Sequence, residues 1–396
     1  MSALFLIVLI DLIGFGVIIP LLPFYAEKFD ASPDVVTLVM AVYSLAQLFS
    51  APLWGRLSDR IGRRPVLLVS MAGAAVSYVW LGLADELWTL FAARAFCGAM
   101  AGNLSAAFAY VADITSPENR ARGMGLVGAA YGLGFIAGPA LGGILAGPDP
   151  LQADYQTPAF VAAAMSVTAL VMTAVLLKES LSAEMRAEAA RSASVPLHRM
   201  VVAVLADRRL TFWIGLSFLA TFVLAAMETT FAMWSERTFG WGPLQNGYLL
   251  AFLGLLSAVI QGSLIGPLSR LIGTHRMVIQ GAAVLAVSFL CLPFADTLGV
   301  LLVVTAGLAY GFSIISPALN SLISLEAEAG SQGSILGLSR SASILARVVG
   351  PAVAGILFAA LGRNAPYFAS AALMLGVFLV AFRPPVRKRP LETDGR

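Results

Sequence analysis

Long apolar runs separated by short polar stretches dominate the pattern of this 396-residue chain. About 20 consecutive apolar residues cross a hydrocarbon core of roughly 30 Å as an α-helix. Runs of that length recur twelve times, at approximately 3–24, 34–54, 66–84, 88–111, 122–146, 158–177, 211–233, 244–266, 277–295, 298–324, 333–360 and 365–383. The pattern therefore predicts an all-α membrane protein with twelve transmembrane helices, which we number as spans one to twelve.

The basic residues between these spans are distributed unequally. If the first residue lies inside, 19 of the 25 Lys and Arg fall in segments on that same side of the membrane. Lys28, Arg237 and Arg363 fall on the opposite side. Since basic residues are retained on the cytoplasmic side, we expect a multi-pass protein of the cytoplasmic (inner) membrane with both termini in the cytoplasm.

Composition supports a membrane protein and excludes several other classes. The chain is 59% hydrophobic and 12% charged, with a mean hydropathy of +0.86, whereas soluble domains are roughly 25% charged. The net charge of +3 follows from the basic loops, so we expect the lipid bilayer as a partner and no nucleic acid. Cys97 and Cys291 both lie inside apolar runs, so we expect no disulfide and no metal site.

The segment between spans two and three carries a dense block of charge, which the sequence alone predicts to be a loop. It reads Gly55-Arg56-Leu57-Ser58-Asp59-Arg60-Ile61-Gly62-Arg63-Arg64. Its spacing resembles the loop signature of the major facilitator superfamily, and the matching residues are Gly55, Asp59, Arg60, Gly62, Arg63 and Arg64. The resemblance implies two pseudo-symmetric six-helix bundles, which we call the two halves, rocking around a central site.

The same resemblance implies a latch at the basic side of the membrane. Asp113 ends span four, and in relatives with this arrangement the Arg matching Arg63 pairs with such an Asp. The Asp matching Asp59 caps the start of span eleven, where the helix dipole favours a carboxylate. Together these contacts would hold the outward-facing state.

Hydropathy also divides the chain into two halves. We predict an N-terminal bundle at 1–178, a cytoplasmic linker at 179–209, a C-terminal bundle at 210–383 and a cytoplasmic tail at 384–396. The Gly55–Arg64 block has a fainter copy at Gly266-Pro267-Leu268-Ser269-Arg270-Leu271-Ile272-Gly273, and Gly138-Pro139 returns as Gly350-Pro351. Parallel repeats of this kind place the substrate site between the halves, near the middle of the membrane.

Span five contains a run of small residues with one proline. The residues Gly134, Gly138, Pro139, Gly142 and Gly143 resemble the Gly-x-x-x-Gly-Pro-x-x-Gly-Gly signature of the superfamily's drug:proton antiporters. Small residues let a facing helix approach closely, and a proline lets the helix bend. Plain helix packing is the alternative interpretation of this stripe.

Two charged residues within the N-terminal spans are candidates for proton coupling. Asp11 lies midway along span one, where an ionised, unpaired carboxylate costs several kcal/mol, so it pairs, faces a wet cavity or holds a proton. Its surroundings resemble span one of the tetracycline exporters. Arg94 in span four resembles the family's proton-coupling arginine, and we expect it to pair with Asp11. Structural charge neutralisation is the alternative role for both.

The C-terminal half offers further candidates. Glu228 in span seven is a second candidate for proton coupling, and Arg340 and Arg347 stand two turns apart on one face of span eleven. The two arginines bind an anionic group or pair with Glu228, and the sequence leaves both possibilities open. Further candidates for the cavity wall are Gln47, Asn103, Gln261 and Asn320; each is equally suited to hydrogen bonding between helices.

The resemblance to the tetracycline exporters is weaker at the substrate pocket. Tetracycline exporters carry further acids in spans three and nine, and the matching positions here are Ser77 and apolar residues around Leu285.

We predict a proton-coupled exporter of small amphiphilic or drug-like molecules, functional as a monomer. It is not expected to be an enzyme and needs no cofactor, with the proton as coupling ion. A carrier of sugars, lipids or anionic metabolites is the alternative on the same fold.

Overall fold

A computed structural model describes residues 1–181, 197–327 and 332–383. Within these ranges the chain is helical, without β-strands. The α-helices run over Ser2–Ile18, Leu22–Glu27, Pro33–Ile61, Arg63–Gly82, Leu87–Ala99, Asn103–Ile114, Pro117–Ala146, Gln156–Leu176, Leu197–Ala206, Arg208–Phe239, Pro243–Val259, Ile265–Ile272, Thr274–Cys291, Leu298–Glu326, Gln332–Leu361 and Ala365–Ala381. The all-α fold class is therefore confirmed.

The helices agree with the twelve predicted spans. Ten helical stretches of the described chain are long and apolar enough to cross a membrane, and Ser2–Ile18 and Ala365–Ala381 are shorter apolar helices at the places of spans one and twelve. Span four is broken between Leu87–Ala99 and Asn103–Ile114, and span eight continues through a π-helical segment at Ile260–Leu264. The hydropathy pattern predicted neither the break in span four nor the π-helical segment of span eight.

The basic block between spans two and three is mostly helical, so the prediction of a loop was wrong. The helix of span two continues to Ile61, and the next helix begins at Arg63. The turn is made by Gly62, whose φ of +112° is a conformation that L-residues rarely adopt. Gly273, with a φ of +81°, makes the corresponding turn between spans eight and nine. We call the end of the molecule that carries these two turns the basic end.

The two halves use the same helix contacts. Span five packs against span one, where a Cβ at Gly138 would lie 2.6 Å from the Gly16 Cα. Span eleven packs against span seven in the same way, where a Cβ at Gly350 would lie 2.7 Å from the Phe222 carbonyl oxygen. The sequence repeat of Gly138-Pro139 in Gly350-Pro351 is thus matched by a repeated packing contact.

The halves meet at the end opposite the basic end and separate towards it. A Cβ at Gly143 of span five would lie 2.7 Å from the carbonyl oxygen of Pro243 in span eight. At Gly125, Gly128 and Gly132, nearer the basic end of span five, a Cβ would meet nothing within 4 Å. The space between the halves therefore opens towards the basic end.

Two predicted segments fall partly or wholly outside the described residues. Of the linker predicted at 179–209, residues 182–196 lie outside, and the helix Leu197–Ala206 occupies much of the rest. The tail predicted at 384–396 also lies outside them. The boundaries of the two bundles and of the linker stay predictions.

Candidate substrate and proton site

A cavity of about 570 Å³ lies between the two halves, a size suited to a drug-sized ligand. Eight of the predicted candidates line it: Asp11, Gln47, Arg94, Asn103, Glu228, Asn320, Arg340 and Arg347. Gln261 does not line the cavity, because it is exposed on the π-helical segment of span eight. Since helical periodicity changes in that segment, the sequence pattern placed its side chain incorrectly.

Asp11 is buried in span one, with 5% of its surface exposed. The side-chain amide of Asn103 donates a hydrogen bond to its carboxylate. Asn103 reaches this position because it begins the second helix of span four, directly after the break. The break is held by Ser70 of span three, whose hydroxyl accepts from the Gly102 N–H at 2.8 Å.

Arg94 does not form the predicted ion pair with Asp11 in this conformation: no ion pair of Arg94 occurs in the described parts of the chain. Its guanidinium lies over the ring of Tyr43 in span two, 4.6 Å from the centroid. It is buried, and its Nε has no hydrogen-bond partner among the described residues. The amide of Asn103 takes the place beside Asp11 that the sequence assigned to Arg94.

In the C-terminal half, Glu228 is paired with Arg347. The Arg347 Nη1 donates to a Glu228 carboxylate oxygen at 2.8 Å. Arg340 lies two turns closer to the basic end and is exposed within the open cavity. Within the described ranges it has no ion pair. The two arginines thus differ, with one in a structural pair and the other available to a ligand.

The two walls of the cavity differ in chemistry. The N-terminal half presents a chain of aromatic rings, with Phe15 5.3 Å from Tyr43 and 6.1 Å from Phe135, and Tyr131 stacked on Phe135 at 4.7 Å. The facing half contributes hydroxyl groups from Ser217, Thr221, Thr229, Ser316, Ser339 and Ser343. Sequence reasoning missed the aromatic wall, because aromatic residues are equally common at positions facing lipid or other helices.

The basic end contains a network centred on Arg63. Its Nε donates to Asp113 at 3.0 Å, as the resemblance implied, and its Nη1 donates to Asp59 at 2.5 Å. Asp59 lies in the last helical turn of span two with 53% of its side chain exposed. It contacts Arg63 of its own half rather than the described part of span eleven, because the halves are apart at this end.

Two residues after span six complete this network. Ser180 donates to Asp113 at 2.9 Å, and the Glu179 carboxylate accepts from the backbone N–H groups of Arg63 and Arg64 at 2.9 and 3.2 Å. Neither was predicted. Their only signal in the sequence was their place at the end of span six, close to the basic side.

The remaining residues of the basic block lie at its surface or beside span six. Arg60 is exposed, and a Cβ at Gly55 would meet nothing within 4 Å. Arg64 donates from its Nη2 to the carbonyl of Ala174 at 2.6 Å. Among the described residues, neither Gly55 nor Arg60 therefore has a contact that explains its place in the signature.

The small residues of span five are sandwiched between spans one and eight. A Cβ at Gly134 would lie 2.7 Å from Leu12, and one at Gly142 would overlap the carbonyl oxygen of Val17. On the other side, a Cβ at Gly247 of span eight would overlap the carbonyl oxygen of Pro139. The stripe therefore packs span five within its own half and also joins the halves.

Comparison with known proteins agrees with this architecture. The sequence profile of the Major Facilitator Superfamily matches residues 4–351 and, in a second match, 262–396. The chain is 30% identical to the tetracycline resistance protein, class B, of Escherichia coli and 30% identical to multidrug resistance protein 2 of Bacillus subtilis (strain 168). Each match covers 89% of this chain and 86% of the relative.

A solved structure is similar over nearly the whole chain. The crystal structure of the human organic anion transporter MFSD10 (TETRAN) has a TM-score of 0.71 at 26% identity, covering 96% of this chain and 98% of that one. The fold and the cavity define a membrane transporter rather than an enzyme. The chain belongs to the major facilitator superfamily.

Proposed function

We propose that this protein is a proton-coupled exporter of small amphiphilic or drug-like molecules that works by alternating access. The basic end faces the cytoplasm in this proposal, since basic residues are retained there. The conformation described above is then inward-facing, with the cavity open to cytoplasmic substrate. The relatives named for tetracycline and multidrug resistance support this class of substrate.

The observation that carries the proposal is the state of Asp11. It is a carboxyl group in the cavity wall, deep in the membrane, with a neutral amide as its hydrogen-bond partner and no ion pair in the described chain. A carboxylate there is costly when sealed from water and much less so when the cavity admits water. Opening the cavity to one side and then the other therefore binds and releases a proton.

The walls support an amphiphilic substrate. The rings of Phe15, Tyr43, Tyr131 and Phe135 offer flat apolar surface, on which aromatic molecules bind by stacking. The hydroxyl groups of the opposite wall supply hydrogen bonds without fixed charge. A cavity that binds by stacking and by adaptable hydrogen bonds can bind molecules of varied shape, as a multidrug carrier requires.

The test is transport in proteoliposomes with an imposed pH gradient. With one proton exchanged per substrate, a gradient of one pH unit sustains about a tenfold concentration ratio of a neutral substrate. We expect Asp11→Asn to lose this uphill transport while retaining its fold and its binding of a neutral substrate. Asp85→Asn, at an exposed acid outside the cavity, is the matched control. Uphill transport at the original level by Asp11→Asn would refute the proton role of Asp11.

A carrier of organic anions is the second candidate. Among the described residues, Arg94 and Arg340 face the cavity without an ion pair, and three guanidinium groups stand against two carboxylates there. The structurally similar human protein is named an organic anion transporter. An anion would be attracted by this excess positive charge.

A further inference from the structure

A second cluster of charged residues lies at the end opposite the basic end and does not line the cavity. Glu27 ends the short helix Leu22–Glu27, and Arg237 lies in the last turn of the helix Arg208–Phe239. Their side chains form an ion pair at 3.1 Å from Nη2 to Oε1. Within residues 1–181, 197–327 and 332–383 it is the one ion pair that joins the two halves.

The surroundings hold Arg237 firmly in place. Its guanidinium lies 4.8 Å from the ring centroid of Phe358 in span eleven. Its backbone carbonyl accepts a hydrogen bond from Arg363, which follows that span. The side chain of Glu27 is only 19% exposed, so its carboxyl group meets a preorganised cation at a largely closed interface.

Glu236 adds a second carboxylate to this interface. It lies beside Glu27, close enough for a hydrogen bond between the two carboxyl groups. When all three groups are ionised, the two carboxylates and the one guanidinium carry a net charge of −1, so the cluster is neutral when one carboxyl group carries a proton. The charge of Glu236 opposes ionisation of Glu27, because two like charges this close repel each other.

We propose that Glu27, Glu236 and Arg237 form an outer latch, which holds the two halves together opposite the basic end and responds to pH through the Glu27 carboxyl. Opening the cavity to the opposite side requires the halves to part here, so the hydrogen bond from Arg237 to Glu27 must break. The proposed latch depends only on the contact between the two halves at this end. It depends neither on the identity of the substrate nor on the role of Asp11.

The direction of the pH response follows from burial. In the closed latch, the pKa of Glu27 is raised to about 8; burial is the largest cause, the Glu236 carboxyl group also raises it, and Arg237 lowers it. When the halves part, Glu27 returns to water and to its ordinary pKa of about 4.5. A raised pKa in the closed state means that the proton stabilises that state. This stabilisation is complete below about pH 4.5 and is lost as the pH rises through about 8.

Other groups face the same interface and must be considered in the response. They are Lys28 and Tyr25 near Glu27, Asp149, Asp154 and Tyr155 between spans five and six, and Arg363 beyond span eleven. Lys28 lies over the Tyr155 ring, 5.6 Å from its centroid. None of these groups joins the halves by an ion pair in the described chain, so Glu27 carries the predicted response.

The experiment measures the distance between the halves at this end. Spin labels on Leu151→Cys and Leu361→Cys, both strongly exposed, report it by double electron–electron resonance in lipid nanodiscs, with Cys97 and Cys291 replaced by Ser. From pH 5 to 9 we expect the ratio of closed to open molecules to fall, by at most about tenfold per pH unit for one proton.

Three variants make the test specific. Glu27→Gln should abolish the pH response, whereas Glu236→Gln should move it to lower pH because the second carboxyl group no longer opposes ionisation of Glu27. Asp30→Asn is the matched control, an acid three residues from Glu27 whose positive φ of 55° suits Asn as well. A pH-independent parent protein, or a response unchanged in Glu27→Gln, would overturn the proposal.

Discussion

Glu179 is the clearest case of a single residue whose contacts explain a local structure. The turn at Gly62 leaves the first N–H groups of the span-three helix without partners inside the helix. Glu179 supplies both acceptors, and its negative charge lies at the positive end of the helix dipole. It also fills the space above Gly62, where a Cβ would collide with the carboxylate. Glu179 therefore ties the end of span six to the start of span three.

We predict that Glu179→Gln destabilises the protein by about 1 kcal/mol, the usual loss when a helix cap is weakened. The amide keeps one acceptor oxygen but loses the charge and the second acceptor. Melting temperature in detergent is the measurement, with Asp85→Asn as a control that removes an exposed acid. Equal melting temperatures for Glu179→Gln and the parent would show that water replaces the cap without cost.

Span five shows what small residues accomplish at the scale of a helix. Its one face packs against the backbone of span one and its other face against span eight, both near the end opposite the basic end. Nearer the basic end the same helix borders open space. The single stripe of glycines thus combines a tight packing contact with a surface from which the other half can separate.

We predict opposite effects of alanine at two glycines of this helix. Gly142→Ala places a methyl group against the backbone carbonyl of Val17, which cannot turn aside, and overpacking of this kind costs about 1–3 kcal/mol. Gly132→Ala meets nothing within 4 Å and should be neutral or slightly stabilising, because alanine favours helix. Thermal stability of the two variants in detergent compares them. Similar melting temperatures would contradict the predicted packing.

At the scale of the whole molecule, the two halves meet at one end and separate towards the other. Arg63 and its acidic partners organise the basic end of one half, and Glu27 with Arg237 joins both halves at the other end. Because the cavity lies between these ends, a charge inside it acts on the equilibrium of the entire molecule. In the proposed function, the sign of the coupling between proton and substrate therefore depends on the substrate's charge.

This sign distinguishes the two candidate functions. Protonation of Asp11 makes the cavity more positive, so it should weaken binding of a cation and strengthen binding of an anion. We predict that a quaternary aromatic cation binds more weakly on acidification, by up to about tenfold per pH unit, and that Asp11→Asn abolishes this dependence. Binding of permanently charged probes, measured by tryptophan fluorescence, avoids titration of the ligand. Binding confined to an aryl sulfonate, and tighter in acid, would favour the anion carrier.

The twelve spans, the superfamily and several charged residues of the site could be predicted from the sequence. Hydropathy predicted the twelve spans because the bilayer imposes one length and one composition on every crossing helix. The motifs led to the superfamily, and Asp11, Arg94, Glu228 and Arg347 were found because a charge within a span is rare and demands a reason.

The tertiary structure alone decided which of these charges meet. Asp11 lies with Asn103 instead of Arg94 because a break in span four, held by Ser70 of another span, sets the position of Asn103. Gln261 does not line the cavity and lies in a local π-helical segment, which the sequence pattern did not predict. The Glu27–Arg237 pair joins residues 210 positions apart, and such a contact depends on how two halves pack, which no local pattern of apolar and polar residues encodes.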